Sequence, residues 1–254
     1  MRPRKVVYVA NSLIPSRQAN TAHVLNMSAA LGQSNASVTL IARGVPSATE
    51  GVYGDFNVAR SFDIRLIPLG SPKILDRLLF LRDIRKAVRE GQFDFAYGRS
   101  WYGLMAGVPV EIPFAYDLHD FPTSRRQKWW YRLLFRRPNL LFVTVISKAL
   151  ADRYSLAYPC LRGRILIAPC AAKAPARLPP LPGEREPGPF RVYYVGHLYA
   201  GRGIELIVEL ARLESEIEFH IVGGESEDIA YWKSQAPTNV HFHGYVRPVL
   251  LDTH

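Results

Sequence analysis

Val6-Val7-Tyr8-Val9-Ala10 and, a short loop later, Asn20-Thr21-Ala22-His23-Val24-Leu25-Asn26-Met27-Ser28-Ala29-Ala30-Leu31-Gly32 are the two segments whose pairing decides the fold. The first is a continuous apolar run of strand length. In the second, Val24, Met27 or Ser28, and Leu31 recur at helical spacing; Asn20 or Thr21 can cap the start and Gly32 the end. The same alternation continues along the chain. Strands are expected at 37–42, 63–68, 93–97, 113–118, 141–146 and 164–168, each rich in Val, Ile, Leu, Phe or Tyr and separated by helical patterns. Strands alternating with helices predict an α/β fold, a parallel sheet covered on both faces. The helix that opens at Asn20 then starts at the C-terminal edge of the sheet, where open α/β sheets bind ligands.

Residues 173–189 contain six prolines and no periodicity, and read as a linker between a domain at 1–172 and another at 190–254. Beyond the linker the pattern restarts: strand 191–196, a Gly-containing turn, helix 203–214, strand 217–222, a Gly-Gly turn, helix 226–235 and strand 240–243. About 65 residues with three strands are fewer than the ~100 to 150 of an ordinary domain. A second doubly wound domain, begun and incomplete, is therefore expected.

Nearly half of the residues (48%) are apolar, enough for a sizeable core, so global disorder is excluded. No apolar run reaches the roughly 18 residues of a membrane-spanning helix, so any membrane contact is expected to be peripheral. The two cysteines, Cys160 and Cys170, suit a reducing cytoplasmic setting and are expected as buried small hydrophobes. Charge is uneven. Residues 1–172 carry 24 Lys and Arg against 11 Asp and Glu, a net +13, whereas 173–254 carry 8 against 11, a net −3. A basic first half implies an anionic partner: nucleic acid, acidic lipid or a phosphorylated ligand.

Three constellations carry chemistry. Tyr194-Val195-Gly196-His197-Leu198-Tyr199-Ala200-Gly201-Arg202-Gly203 feeds a strand through a glycine-rich turn into a helix. Close backbone approach, free helix N–H groups, and the charge of Arg202 with His197 suit a diphosphate; a plain tight turn with a solvated Arg fits the spacing equally well. The turn is neither G-x-G-x-x-G nor a P-loop. At the end of an expected strand, Asp117-Leu118-His119-Asp120 sets two carboxylates around an imidazole, making His119 and Asp120 catalytic candidates, against a reading in which Asp120 merely caps the next helix. No second His or Cys lies at ligand spacing along the chain, so no metal is expected. Finally, 125–137 holds six basic residues, four aromatics and no acid. On a helical wheel Arg125, Lys128, Arg132 and Arg136 form one stripe beside an arc of Trp129, Trp130, Leu133 and Leu134. That helix either meets an anionic bilayer or packs its aromatics on its own sheet.

Taken in order, several stretches resemble glycosyltransferase family 4. They are 15–24, Tyr97-Gly98-Arg99-Ser100, 117–120, 145–150, Val195-Gly196-His197-Leu198 with Arg202-Gly203, Ile221-Val222-Gly223-Gly224, and 240–246. The resemblance implies a GT-B fold of two Rossmann-like domains with mainly parallel sheets, and metal-independent transfer of a sugar from a nucleotide-activated donor with retention. It implies a diphosphate on Gly196, His197, Arg202 and Gly203, a close approach of Gly224 to the donor, and a base against the Gly244-Tyr245-Val246 backbone. His119 resembles the family's sugar-contacting histidine, the loop before Asn20 would face donor phosphate or acceptor, and Asn20, Thr21 and Arg99 would be substrate-binding residues. His197 and Arg202 stand where the family carries Arg and Lys, and 169–172 departs from its Asn-Gly-Val-Asp-like segment. The family's pair of glutamates in the second domain does not occur before His254, so weak or absent activity is expected of a truncated chain. The implied partners are a nucleotide-sugar donor, with a lipid-linked or polysaccharide acceptor at the inner face of a membrane, and no cofactor. A nucleotide-sugar-binding module without catalysis and a basic nucleic-acid-binding protein are the alternatives. The last would need exposed, stacking aromatics at 125–137.

Overall fold

Every apolar run expected as a strand is one. In the computed structural model, which describes residues 2–69, 73–171, 188–247 and 250, they are β1 (Arg4–Leu13), β2 (Ala36–Arg43), β3 (Phe62–Ile67), β4 (Phe95–Gly98), β5 (Phe114–Leu118), β6 (Leu140–Val145) and β7 (Ile165–Ile167). All pair parallel, in the order β3-β2-β1-β4-β5-β6-β7. The order reverses between β1 and β4, the switch point at which open parallel sheets leave a crevice.

Helices α1 (Ala19–Gln33), α2 (Thr49–Asp55), α3 (Lys73–Gly91), α4 (Trp101–Gly107), α5 (Arg125–Phe135) and α6 (Lys148–Ala157) cover the sheet. Strand alternation divides the core in two. Val7 and Val9 of β1 and Phe114, Tyr116 and Leu118 of β5 join side chains of α3 to α6 on one face. Val6, Tyr8 and Ala10, with Ala115, join Val24 and Leu25 of α1 on the other. Two expectations about α1 are corrected. Its N-cap is Gln18 and makes no side-chain capping bond, because Asn20 and Thr21 already lie within the helix and turn their side chains to β1. Gly32 does not end the helix: a Cβ there would meet the Ser61 carbonyl oxygen at 2.0 Å, so the glycine permits a close crossing.

The chain divides into two compact units, Met1–Lys173 and Ala174–His254. The expected linker at 173–189 lies outside the described residues except for its last two. In the second unit β8 (Phe190–Val195), β9 (Ile217–Val222) and β10 (Val240–Gly244) form a parallel sheet in the order β10-β9-β8, with α7 (Ile204–Leu213) and α8 (Ser226–Lys233) as crossovers. Its core is Leu198, Ile204, Ala211, Phe219, Ile221 and Val240. None of the helices among the described residues is long and apolar enough to cross a membrane.

Candidate functional site

At the switch point of the first unit, one buried carboxylate collects the polar groups of three elements. Asp117 lies on β5 one residue short of its end, so it faces the same side as Ala115, the side that α1 covers. That places His23 of α1 against it. His23 Nε2 donates to Asp117 Oδ2 at 3.2 Å, His119 Nε2 donates to the same oxygen at 3.0 Å, and the Thr144 hydroxyl of β6 donates to Oδ1 at 2.8 Å. Burial opposes ionisation of Asp117, but the hydrogen bonds from His119, His23 and Thr144 outweigh it and hold the carboxyl well below its ordinary range. An ionised carboxylate only accepts, so it fixes the proton of each imidazole on Nε2.

Arg99, directly after β4, extends the network. Gly98 brings the chain so close to β1 that a Cβ there would stand 2.0 Å from the Val9 carbonyl oxygen. From that crossing Arg99 Nη1 donates to Asn20 Oδ1 at 2.6 Å, and its Nε lies 3.9 Å from Asp117 Oδ2. Asn20 Nδ2 in turn donates to Ser12 Oγ at 2.8 Å. Cys170, beyond β7, brings its Sγ to 4.0 Å from His119 Nδ1.

The second unit offers backbone where the first offers side chains. Gly196, Gly223 and Gly244 end β8, β9 and β10 on one edge. Gly223 N–H donates to Gly244 O at 2.7 Å, and a Cβ on Gly223 would meet Gly196 O at 2.2 Å. The turn after β8 is pinned from both sides, by Tyr194 Oη donating to His197 O (2.7 Å) and Trp232 Nε1 donating to Leu198 O (3.0 Å). Gly203 caps α7 at φ +86° with no side-chain cap, leaving first-turn N–H groups free of a capping side chain. Arg202 is exposed and folds back onto the Tyr199 hydroxyl and ring.

Helix α5 divides its aromatics. Ser124 caps it, accepting from Gln127 N, and Tyr131, Leu134 and Phe135 are buried in the core. Trp130 rests on Trp101 at 5.6 Å between ring centroids. Trp129 and Leu133 remain 51% and 40% exposed, on the face that also carries Arg125, Arg132 and Arg136.

The sequence model described as Glycosyltransferase Family 4 matches residues 21–174, more than half of the chain and the stretch that holds Arg99, Asp117, His119 and Cys170. The chain belongs to glycosyltransferase family 4. Among solved structures, this family 4 chain is similar to a glycosyltransferase from Rickettsia africae (14% identity, TM-score 0.65, covering 98% of this chain and 70% of that one). Anabaena HepE, in complex with UDP and glucose, aligns at 15% identity and TM-score 0.62 over 96% of this chain and 70% of its own. Sucrose-phosphate synthase from Thermosynechococcus elongatus aligns at 12% identity and TM-score 0.67, over 98% and 72%. At these identities the likeness is one of fold, the GT-B type. No curated protein sequence matches the chain.

Within the family 4 chain, His119, Arg99 and Asn20 of the expected site residues come together; Gly196, Gly224 and Gly244 to Val246 lie at the C-terminal ends of the second unit's strands, and Gly203 at the start of α7. Asp120 stands apart. It is exposed, its carbonyl accepts the Tyr154 hydroxyl, and Asp117 is the carboxylate that orients His119, because strand alternation turns Asp117 inward. Thr21 is fully buried, its hydroxyl tied to Leu13 O and Ser16 Oγ, so it shapes the loop instead of facing a ligand. Both cysteines are exposed rather than buried. Sequence reasoning misses His23; its one signal is its place three residues after Asn20, one helical turn along the same face. His23, His119 and Cys170 each bring one potential ligand atom within 4.8 Å of the others, a grouping that spacing along the chain does not carry.

Proposed function

We propose that the chain moves a sugar from a nucleotide-activated donor to a lipid-linked or polysaccharide acceptor, with retention at the anomeric carbon and without a resident metal or cofactor. The observation that carries this reading is the His119 imidazole, locked in one tautomer by buried Asp117 and set beside Arg99 at the β1/β4 switch point. In this reading His119 presents its unprotonated nitrogen to a hydroxyl of the donor sugar. In the second unit, the N–H groups at the start of α7, the glycine edge of β8 to β10 and exposed Arg202 have the chemistry to hold a diphosphate by charge fixed in place before any reaction. The complex of HepE with UDP and glucose, on the same fold, supports a nucleotide-sugar donor.

The acceptor side of the proposal rests on α5. Exposed Trp129 and Leu133, ringed by Arg125, Arg126, Arg132 and Arg136, have the chemistry of a helix lying on an anionic bilayer, with half-buried Lys128 and Trp130 behind them. This supports a protein working at the cytoplasmic face of a membrane.

Calorimetric titration of the 254-residue chain with UDP, GDP and their sugar conjugates, with Arg202→Ala as control, tests the donor half. Binding of one nucleotide class, weakened about tenfold or more in the variant by loss of a charge-assisted bond, is expected. A folded chain that binds none of them overturns the proposal.

A further inference from the structure

The thiol beside His119 has no part in sugar transfer as proposed above, yet its surroundings have the layout of a metal site. One ligand atom each from His23, His119 and Cys170 lies within 4.8 Å of the other two. A bound Zn2+ places its nitrogen and sulfur ligands about 3.5 Å apart, from bond lengths of ~2.0–2.1 and ~2.3 Å. The three atoms therefore need to close by about 1 Å, a movement open to Cys170, which is exposed.

What distinguishes this cluster is the carboxylate behind it. Metal-binding histidines characteristically donate their second ring N–H to a carboxylate, which fixes the tautomer and makes the free nitrogen a better ligand. Asp117 Oδ2 accepts from Nε2 of both His23 and His119, leaving each Nδ1 with its lone pair, and Nδ1 of His119 is the atom that meets Cys170 Sγ. Thr144 and Arg99 hold Asp117 in turn. A second group, Glu218, His220 and His241, comes equally close together, but there the carboxylate already pairs with Arg191 at 3.2 Å.

We propose that His23, His119 and Cys170 form a site for a borderline-soft divalent cation of the Zn2+ type, and that the bound ion takes the His119 imidazole away from the donor sugar. The ligands are two neutral imidazoles and a thiolate, a set that excludes Mg2+ and Ca2+, which need oxygen. The fourth position remains open to water. Binding releases the thiol proton to solvent. The competition with donor, though not the site itself, rests on the function proposed above.

The test uses the full chain stripped with chelator, then titrated with Co2+ as a spectroscopic stand-in and without nucleotide. A thiolate-to-cobalt charge-transfer band saturating at one equivalent is expected. It should be retained in Cys160→Ser, unchanged by excess Mg2+, displaced by Zn2+, lost in Cys170→Ser, and shifted to at least tenfold higher Co2+ in His23→Gln. A missing band, or one that survives Cys170→Ser, overturns the site; circular dichroism confirms that each variant is folded. Donor titrations with and without one equivalent of Zn2+ then test competition: at least tenfold weaker donor binding in the loaded chain is expected, and equal affinity overturns it. Because the cobalt band is read without nucleotide, the metal site stands or falls independently of donor binding.

Discussion

Asp117 is the residue on which the first unit's site turns, and its titration gives a direct handle. Its folded carboxyl titrates below the ordinary carboxylate value, so as pH falls the unfolded chain takes up its proton first. The stability it contributes is fully present above about pH 5 and drains away as pH drops through the depressed folded value. Asp117→Asn is expected to flatten the loss of stability between about pH 5 and pH 2, measured by urea unfolding at stepped pH; an unchanged acid limb would show that the carboxylate is not held ionised by its neighbours. Gly98 acts through space it leaves empty. Gly98→Ala puts a methyl 2.0 Å from the Val9 carbonyl oxygen, and a cost of about 1–3 kcal/mol is expected in the same assay.

At the scale of elements, α5 separates two jobs that a helical wheel merges. Its buried edge, Tyr131, Leu134 and Phe135, is core; its exposed edge, Trp129 and Leu133 among arginines, is free for a surface. Leu134→Ala is expected to lower stability by about 2–5 kcal/mol and leave vesicle binding unaltered. Trp129→Ala should do the reverse, weakening co-sedimentation with anionic phospholipid vesicles about tenfold at unchanged stability, with added salt weakening the wild type further. Equal loss in both assays for either variant would contradict the division. The stripe of basic residues and the aromatic arc were legible from the sequence. Which aromatics the sheet consumes was not, because helical periodicity gives a side chain's angle about the axis but not the distance to what it packs against.

For the whole molecule, two independent cores predict independent folding of the first unit. Its sheet is covered on both faces by its own helices, so residues 2–171 alone are expected to unfold in one cooperative transition with the near-ultraviolet spectrum of packed aromatics; a broad, non-cooperative melt would sink this. The alternation of strands and helices, the parallel sheets and the restart after the prolines were legible along the chain, because those depend on period and on turn residues a few positions apart. It also marked His119 and the glycine turn after β8, since both are local to a strand end. Folding in three dimensions set the rest: Asp117 and not Asp120 orients the imidazole, His23 reaches Asp117 from 94 residues away, and Cys170 stands beside His119. Those juxtapositions come from strand order at the β1/β4 switch and from the face each side chain takes, and neither quantity is carried by spacing along the chain.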